Sequence, residues 1–198
     1  EGGFVWSRDG SQIYYTTNRV VEQYYEESPS TEIYSIPSSG GQPSLLTKVA
    51  QGVGGLSLSP DGKRFAFTAS ATVKPVQSYT QPDLWVMDAT ANAQPKNLTT
   101  GFDYDIGGGV GGDQAPPRAG GGGGSIWSPD GKSIIVRYAK EGRANLGMFD
   151  AANGKMTEVT KGDQAVLAYQ PTRDTGKIVY TRSTPTVITD LYILDRLS

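Results

Sequence analysis

The apolar residues of this chain fall into short runs separated by turn residues, and the runs recur in a fixed order. Each cycle opens with a turn phrase, and two runs rich in aromatic and β-branched residues follow it. Such runs, bounded by Gly, Pro, Asn and Asp, are typical of β-strands. The turn phrases are Trp6-Ser7-Arg8-Asp9-Gly10, Leu58-Ser59-Pro60-Asp61-Gly62-Lys63 and Trp127-Ser128-Pro129-Asp130-Gly131-Lys132, with a degenerate fourth copy at Tyr169-Gln170-Pro171 and Gly176-Lys177.

The turn phrase predicts a β-hairpin at each copy. Pro sets φ for the second position of a type I turn, Asp tolerates the bridge region, and Gly adopts the left-handed conformation that a hairpin bulge needs. Arg8 replaces Pro in the first copy, which a type I turn permits. Three extra residues between Pro171 and Gly176 predict a longer turn in the fourth copy.

The order of the runs predicts the architecture. A third element closes the first three cycles at Leu45-Leu46-Thr47, Asn97-Leu98-Thr99 and Glu158-Val159-Thr160, but nothing corresponds to it after Leu194. Four short strands in every 40 to 50 residues or so are the signature of β-propeller blades. We therefore predict an all-β chain, a β-propeller built of four-stranded antiparallel blades. About four blades are present, as repeats near residues 1–50, 51–100, 120–162 and 163–198, with a Gly-rich insertion at 101–124.

The amino-acid composition restricts the kinds of partner that the chain is expected to bind. The chain has 198 residues, of which 36% are hydrophobic, and contains no run near the roughly 18 apolar residues of a membrane helix. Eighteen basic and twenty acidic residues give a net charge of −2, and no basic cluster stands out. Neither a membrane nor a nucleic-acid partner is predicted, because phosphate binding requires clustered Lys and Arg.

The sequence contains no His and no Cys. A Ser-His-Asp triad, a His-containing zinc site and a thiolate nucleophile therefore cannot be built from these residues. Pairs of Asp and Glu remain available for glycoside hydrolysis, so an independently active carbohydrate hydrolase stays open as an alternative. The acids fall mostly in turn phrases and at strand ends, however, so we predict no catalytic residue, metal or cofactor in this chain.

Several phrases resemble a known family. The turn phrases, Asp-Leu-Trp-Val-Met-Asp at 83–88 and Asn-Leu-Thr at 97–99 resemble the propeller repeats of the prolyl oligopeptidase family of serine peptidases and of the periplasmic Tol-system propeller. The segments from Phe102 to Gln114, Glu141 to Leu146 and Ser183 to Tyr192 are similar to the N-terminal propeller of bacterial acylaminoacyl or dipeptidyl peptidase-like members. The resemblance covers essentially the whole chain and favours the peptidases.

This resemblance implies a non-catalytic propeller that filters peptide substrates and docks an α/β-hydrolase domain carrying the catalytic Ser, Asp and His. None of those catalytic residues matches a position here. Because family propellers have seven or eight blades, we expect this chain to be part of one, with a closed four-bladed ring as the alternative. The alternative function is a Tol-like or stand-alone scaffold for protein–protein interaction. A bacterial periplasm or cytoplasm fits either function, and the periplasm is preferred.

Three residues are candidates for substrate binding. Arg118, in the Gly-rich insertion, offers a guanidinium to a peptide carboxylate or carbonyl. Glu26 and Glu27 form an acidic pair of the kind that dipeptidyl peptidases use to hold a peptide amino terminus, although here the pair follows the turn phrase instead of preceding a Trp-Ser-Pro strand. The insertion itself is too rich in Gly and Pro to pack a core, so a mobile inter-blade loop is predicted.

Two further patterns have structural interpretations. Alternating acids at Asp103 and Asp105 resemble the start of a calcium loop but lack its later Glu, so no metal site is predicted. The three tryptophans occupy fixed places in the strand phrases, which predicts that they fill the core between blades. They are Trp6, Trp85 and Trp127.

Overall fold

The computed structural model describes residues 3–18, 30–49, 52–71, 79–110, 122–172 and 176–195. All regular secondary structure in these ranges is β-strand. The chain divides into two compact units, Glu1–Phe102 and Asp103–Ser198. The all-β prediction is confirmed.

The first unit contains two antiparallel sheets, each a meander of four strands in chain order. The strands of the first sheet are β1 (Phe4–Trp6), β2 (Gln12–Thr17), β3 (Thr31–Pro37) and β4 (Ser44–Val49). Those of the second are β5 (Gly54–Leu58), β6 (Arg64–Ser70), β7 (Pro82–Asp88) and β8 (Lys96–Asn97). These sheets are the four-stranded blades that the repeats predict.

The core of the first unit is formed by the apolar faces of both sheets. Ile33 of β3 and Phe65 and Phe67 of β6 are completely buried in one cluster. The Tyr14 ring packs edge-on against Phe65, with ring centroids 4.9 Å apart. Alternation of side chains along a strand brings these residues to one face, and their burial supplies the apolar contact that joins the two sheets.

The second unit contains one extended sheet of eight strands. Its strands are β9 (Asp105–Ile106), β10 (Ile126–Trp127), β11 (Ser133–Lys140), β12 (Arg143–Asp150), β13 (Met156–Glu158), β14 (Ala165–Pro171), β15 (Lys177–Thr184) and β16 (Val187–Asp195). Strands β10 to β13 form an antiparallel third blade, and β14 to β16 form a three-stranded fourth blade. The two blades meet where Ala144 of β12 pairs in parallel with Ala165 of β14.

The turn phrase builds the same hydrogen-bonded unit in three blades. In each copy the Gly N–H donates to the Ser carbonyl three residues earlier, and Gly10, Gly62 and Gly131 have φ values of 72°, 73° and 69°. In each copy the Ser hydroxyl also donates to the Asp carboxylate at 2.6 Å. The predicted hairpin turn is confirmed, since this positive φ is the conformation that glycine adopts without strain.

The fourth turn differs from its prediction. The residue that corresponds to Ser7 is Thr172 and not Gln170. Its N–H and its hydroxyl both donate to the Lys177 carbonyl, and its hydroxyl also accepts from Lys177 N–H. Thr172 and Lys177 are five residues apart, as are Ser7 and Gln12. The fourth turn is therefore not lengthened, because the Thr172 hydroxyl accepts the backbone hydrogen bond that the Ser hydroxyl accepts in the other turns.

The three tryptophans do not share one environment. Trp127 is buried, and Trp85 packs against the core of the first unit while its indole N–H donates to the Ala69 carbonyl at 2.8 Å. Trp6 is 49% exposed. The prediction that all three fill the core is wrong for Trp6, which lies on the first strand of its sheet.

Candidate functional site

The three predicted substrate-binding residues, Arg118, Glu26 and Glu27, lie outside the described residues. These predictions therefore remain predictions. What the structure describes is the framework from which the segment bearing Arg118 extends, on both of its sides.

The described start of the insertion, at residues 105–108, is packed, contrary to the expectation for the whole insertion. Asp105 and Ile106 form β9, which pairs with Ala139 and Tyr138 of β11. Ile106 is buried, and Gly107 N–H donates to the Arg137 carbonyl at 2.6 Å. The expectation of a mobile loop is wrong for this part, because two residues of strand and one apolar side chain attach it to the third blade.

The Arg137 side chain holds this framework together. Its guanidinium donates to the carbonyls of Gly108 at 2.8 Å and Gly107 at 2.9 Å, both just after β9. It also donates to the carbonyls of Val166 at 3.2 Å and Leu167 at 2.7 Å, in β14. The planar guanidinium has five donors in a rigid fork, so one side chain on β11 satisfies carbonyls from two other segments.

Gly122 and Gly123, at the described end of the insertion, lie against Tyr169. Tyr169 N–H donates to the Gly122 carbonyl at 2.9 Å, and the Tyr169 hydroxyl accepts from Arg137 N–H at 3.1 Å. A Cβ on Gly123 would lie 2.2 Å from a carbon of the Tyr169 ring. Burial raises the pKa of Tyr169, and the nearby Arg137 N–H opposes that rise only in part, so the phenol stays neutral at physiological pH.

The described residues on both sides of the segment from 111 to 121 are therefore held by two strands of one sheet, β11 and β14. Gly107 and Gly108 are bound by Arg137 on β11, and Gly122 is bound by Tyr169 on β14. The backbone N–H of Arg137 links the two anchors directly through the Tyr169 hydroxyl. We name these residues, Gly107, Gly108, Gly122, Gly123, Arg137 and Tyr169, the loop anchor. It connects the described residues on the two sides of the segment from 111 to 121 by hydrogen bonds.

A second polar cluster links the third and fourth blades. The buried Asn145 side-chain oxygen accepts from the Thr160 hydroxyl at 2.9 Å and from the Gln164 amide at 2.7 Å. Arg182 donates to the Gln164 oxygen at 2.6 Å and lies over the Tyr192 ring, 4.1 Å from its centroid. Buried polar groups of this kind specify which strands adjoin. The sequence analysis did not predict this cluster. The equivalent pair Asp83 and Thr99 in the second blade, which matches Asn145 and Thr160, could have indicated it.

The perturbed acids and phenols have structural causes. Hydrogen bonds from Ser7 and from Ser11 lower the pKa of Asp9 to about 2, and the equivalent Ser lowers the pKa of Asp61 and of Asp130. Burial, with Glu158 nearby, raises the pKa of Tyr138 to about 12. Within the described ranges, no three acids gather as a metal site would require. No helix in that part of the chain could cross a membrane.

Comparison with known proteins begins with sequence. No family model matches the chain. It is 25% identical over 163 residues to dipeptidyl-peptidase 5 of Porphyromonas gingivalis, which covers 80% of this chain and 21% of that protein. The chain therefore spans about a fifth of the length of this curated relative.

Solved structures show the same fold. Puromycin hydrolase superposes on 98% of this chain and 29% of its own, with a TM-score of 0.70 and 19% identity. TolB from Acinetobacter baumannii superposes on 98% of this chain and 40% of its own, with a TM-score of 0.64 and 22% identity. The β-propeller fold is confirmed, and so is the resemblance read from the turn and strand phrases: this chain is similar to the propeller domains of peptidases related to prolyl oligopeptidase.

Proposed function

We propose that this chain is the non-catalytic propeller portion of a serine peptidase, where it docks an α/β-hydrolase domain and filters peptide substrates. The observation that carries the proposal is the match to a hydrolase, puromycin hydrolase, over 98% of this chain, together with the sequence match to a dipeptidyl peptidase. Each match covers less than a third of the related protein, so the proposal places the catalytic domain outside residues 1–198.

The residue composition supports a separation of roles, in which the docked domain carries out catalysis and this chain selects the substrates. A serine peptidase needs a base beside its nucleophile, and histidine is absent from the sequence. The chain instead offers hydrogen-bonded turns and a loop anchor, which suit a rigid frame. The chemistry then belongs to the docked domain, and this chain controls which peptides reach it.

In the filtering role, each of the predicted binding residues would contact a particular group of the peptide. Arg118 would pair with a carboxylate or carbonyl of the peptide, and Glu26 with Glu27 would hold its amino terminus. The loop anchor supports this role because Arg137 and Tyr169 hold both flanks of the segment that carries Arg118. A charged contact on a supported loop selects substrates with less loss of conformational entropy than one on an unsupported loop.

Kinetics of the longer polypeptide that contains this chain test the filter. Rates should be compared for a dipeptide substrate and for a peptide of about 20 residues, in the parent and in a variant lacking residues 111–121. The proposal expects the deletion to raise kcat/KM for the long peptide at least fivefold relative to the dipeptide. Arg118→Ala and the Glu26→Gln/Glu27→Gln pair should each raise KM, whereas Lys96→Ala on β8 should not. Unchanged length selectivity in the deletion variant would contradict the filter.

A Tol-like interaction scaffold is the second candidate, favoured by the superposition on TolB over 98% of this chain. The coding sequence downstream of Ser198 separates the two. A Gly-x-Ser-x-Gly elbow followed by Asp and His supports the peptidase, since that order builds the triad of an α/β-hydrolase. A stop codon directly after Ser198 would remove the peptidase and leave the scaffold.

A further inference from the structure

The turn between β12 and β13 contains the single Asn-Gly pair of the sequence, Asn153-Gly154. Asn153 is exposed to solvent, and so are Ala152 before the pair and Lys155 after it. The backbone nitrogen that follows an Asn can attack the side-chain amide carbon, and Gly hinders this attack least because it has no side chain. Exposed amides of this kind are chemically labile.

The geometry of the turn explains why Gly follows Asn153. Gly154 has a φ of 74°, and Asn92 in the second blade has a φ of 60°. Each lies four residues after the Asp that ends its strand, and these residues, Asp88 and Asp150, pair with the first residues of β6 and β11. Because a positive φ favours Gly, the turn places a residue without a side chain directly after the asparagine.

The Asn153 amide is held against the backbone of the turn. Its side-chain oxygen accepts from Lys155 N–H at 2.8 Å, so the side chain folds back along the peptide of Gly154. A donor at a carbonyl oxygen also stabilises the negative charge that develops there when the carbon is attacked. The Lys155 N–H therefore both positions the amide and favours attack on it.

Other hydrogen bonds of the same turn oppose the reaction. Gly154 N–H donates to the Asp150 carbonyl at 2.8 Å, and this nitrogen has to lose its proton before it attacks. The Asp150 carboxylate also accepts from the N–H groups of Ala152 at 2.8 Å and of Asn153 at 3.0 Å. All of these bonds lie within residues 150–154, so they open without unfolding the buried strands.

We propose that Asn153 is a site of spontaneous deamidation in the folded chain. The Gly154 nitrogen gives its proton to solvent and bonds to the side-chain carbon of Asn153. The bond from that carbon to the amide nitrogen breaks, and the nitrogen takes up a proton and leaves as ammonia. Water then opens the resulting succinimide at one of its two carbonyl carbons. Opening at the side-chain carbon leaves aspartate, and opening at the backbone carbon leaves isoaspartate, so one water is consumed and one ammonia is released.

The two products should change the turn in different ways. Aspartate keeps a side-chain oxygen for Lys155 N–H and adds a negative charge to the turn. Isoaspartate adds a methylene group to the main chain before Gly154. This shifts Gly154 N–H away from the Asp150 carbonyl, and it shifts Asp150 N–H away from the Lys155 carbonyl, now 3.0 Å apart. The isoaspartate form therefore has a looser connection between β12 and β13.

Mass spectrometry of the 198-residue chain, incubated in mildly alkaline buffer at physiological temperature, tests the site. Position 153 should gain the mass difference between an amide and an acid, whereas Asn97 and the buried Asn145 should keep their amides. A synthetic peptide of residues 149–157, FDAANGKMT, gives the rate without the fold. The folded chain should react less than about a hundredfold more slowly than this peptide, since only the hydrogen bonds of one exposed turn have to open.

Two variants separate the turn chemistry from the fold. Gly154→Asn should keep the turn, because Asn92 adopts a positive φ at the equivalent place, but its Cβ crowds the attacking nitrogen and should slow the loss of ammonia. Asn153→Asp supplies the aspartate form as a standard. When ion exchange separates the products of the parent chain, amide hydrogen exchange at Asp150 and Gly154 should be faster in the isoaspartate form than in this standard.

Three results would overturn the proposal. One is a rate in the folded chain that is lower than the peptide rate by more than about a hundredfold, which would mean that the site reacts only after unfolding of the chain. Another is faster deamidation at Asn97 or Asn145 than at Asn153. The last is an equal rate in the parent chain and in Gly154→Asn. None of these measurements involves peptidase activity, so they test the site separately from the proposed function.

Discussion

At the scale of single residues, Ser and Thr hydroxyl groups form recurring hydrogen bonds to the backbone in the turns and between strands. In each of the first three turns, one Ser accepts from a backbone N–H five residues later and donates to an Asp, while Thr99 and Thr160 join strands in a comparable way. Each hydroxyl satisfies two partners at once, so removing it leaves a backbone group without its bond. The cost depends on whether water can replace that bond.

Burial should therefore decide the cost of losing a turn serine. Ser59 is 0% exposed, and its hydroxyl accepts from Arg64 N–H at 2.9 Å. Ser59→Ala should lower the free energy of unfolding by about 1–2 kcal/mol, because the N–H loses its acceptor in a dry site. Urea unfolding measures this, with Ser7→Ala in the more exposed first turn as the matched control. Equal losses in the two variants would contradict the argument from burial.

The first turn should also show its hydrogen bonds in a titration. The bond from Ser7 is the largest cause of the lowered pKa of Asp9, which is about 2 instead of 3.8. A depressed folded-state pKa contributes stability that is present above pH 4 or so and is lost as the pH falls through about 2. In an NMR titration, Ser7→Ala should move the Asp9 midpoint up towards 3.8, and Ser38→Ala should not. An unchanged midpoint in Ser7→Ala would refute the assigned cause.

The loop anchor contains two adjacent glycines, Gly122 and Gly123, that should differ in their tolerance of a substitution by alanine. A Cβ on Gly123 would meet the Tyr169 ring at 2.2 Å, and a Cβ on Gly122 would meet nothing within 4 Å. Gly123→Ala should destabilise the chain by about 1–3 kcal/mol, since either the ring or the backbone has to move. Gly122→Ala should change stability by less than about 0.5 kcal/mol. Thermal unfolding of the two variants side by side decides the matter, and similar melting temperatures would argue against the close packing.

At the scale of elements, the blades are meanders whose strands pair with their sequence neighbours. Arg137 adds a link between segments distant in sequence, because its side chain ties β11 to β14 and to the backbone after β9, about 30 residues away in both directions. A lysine at this position keeps the charge but cannot reach four carbonyls in the same plane. The arginine is therefore the residue on which the geometry of the loop anchor depends.

Replacing Arg137 should loosen both flanks of the insertion together. In Arg137→Lys, amide hydrogen exchange should accelerate at Gly107 and at Tyr169, whose N–H groups donate to the Arg137 and Gly122 carbonyls. The expected loss of stability is about 1–3 kcal/mol. Arg143→Lys, a charged neighbour that pairs with exposed acids, serves as the control. Faster exchange at only one of the two flanks would show that Arg137 does not couple them.

At the scale of the whole molecule, this chain should bind but not catalyse. With no His and no Cys, it should give no turnover of peptide substrates and no labelling by a fluorophosphonate probe. The proposed function expects a longer polypeptide containing this chain to be labelled on a serine outside residues 1–198. Labelling of any serine in the 198-residue chain would contradict the non-catalytic assignment.

The blade pattern was predictable because its causes are local. The turn phrase predicted hairpins at Gly10, Gly62 and Gly131, since the donors and acceptors lie within five residues of each other. The fourth turn was misaligned because the prediction followed Pro171, whereas the hydrogen bonds follow Thr172. Of the candidate site, Arg118 was named from its residue type, and Glu26 and Glu27 were named from the resemblance to the acidic pair of dipeptidyl peptidases. The loop anchor was missed because no spacing rule connects Arg137 with Gly108 or Tyr169.

The sequence alone determined the strands, the turns and the exclusion of a triad, because these depend on residue identity and on short separations along the chain. Only the tertiary structure decided which side chains were covered. Trp6 and Trp127 stand at equivalent places in two turn phrases, yet Trp6 is 49% exposed and Trp127 is buried. Burial of a side chain depends on what packs against its face of the sheet, and that contact is set by long-range packing rather than by the strand's own residues.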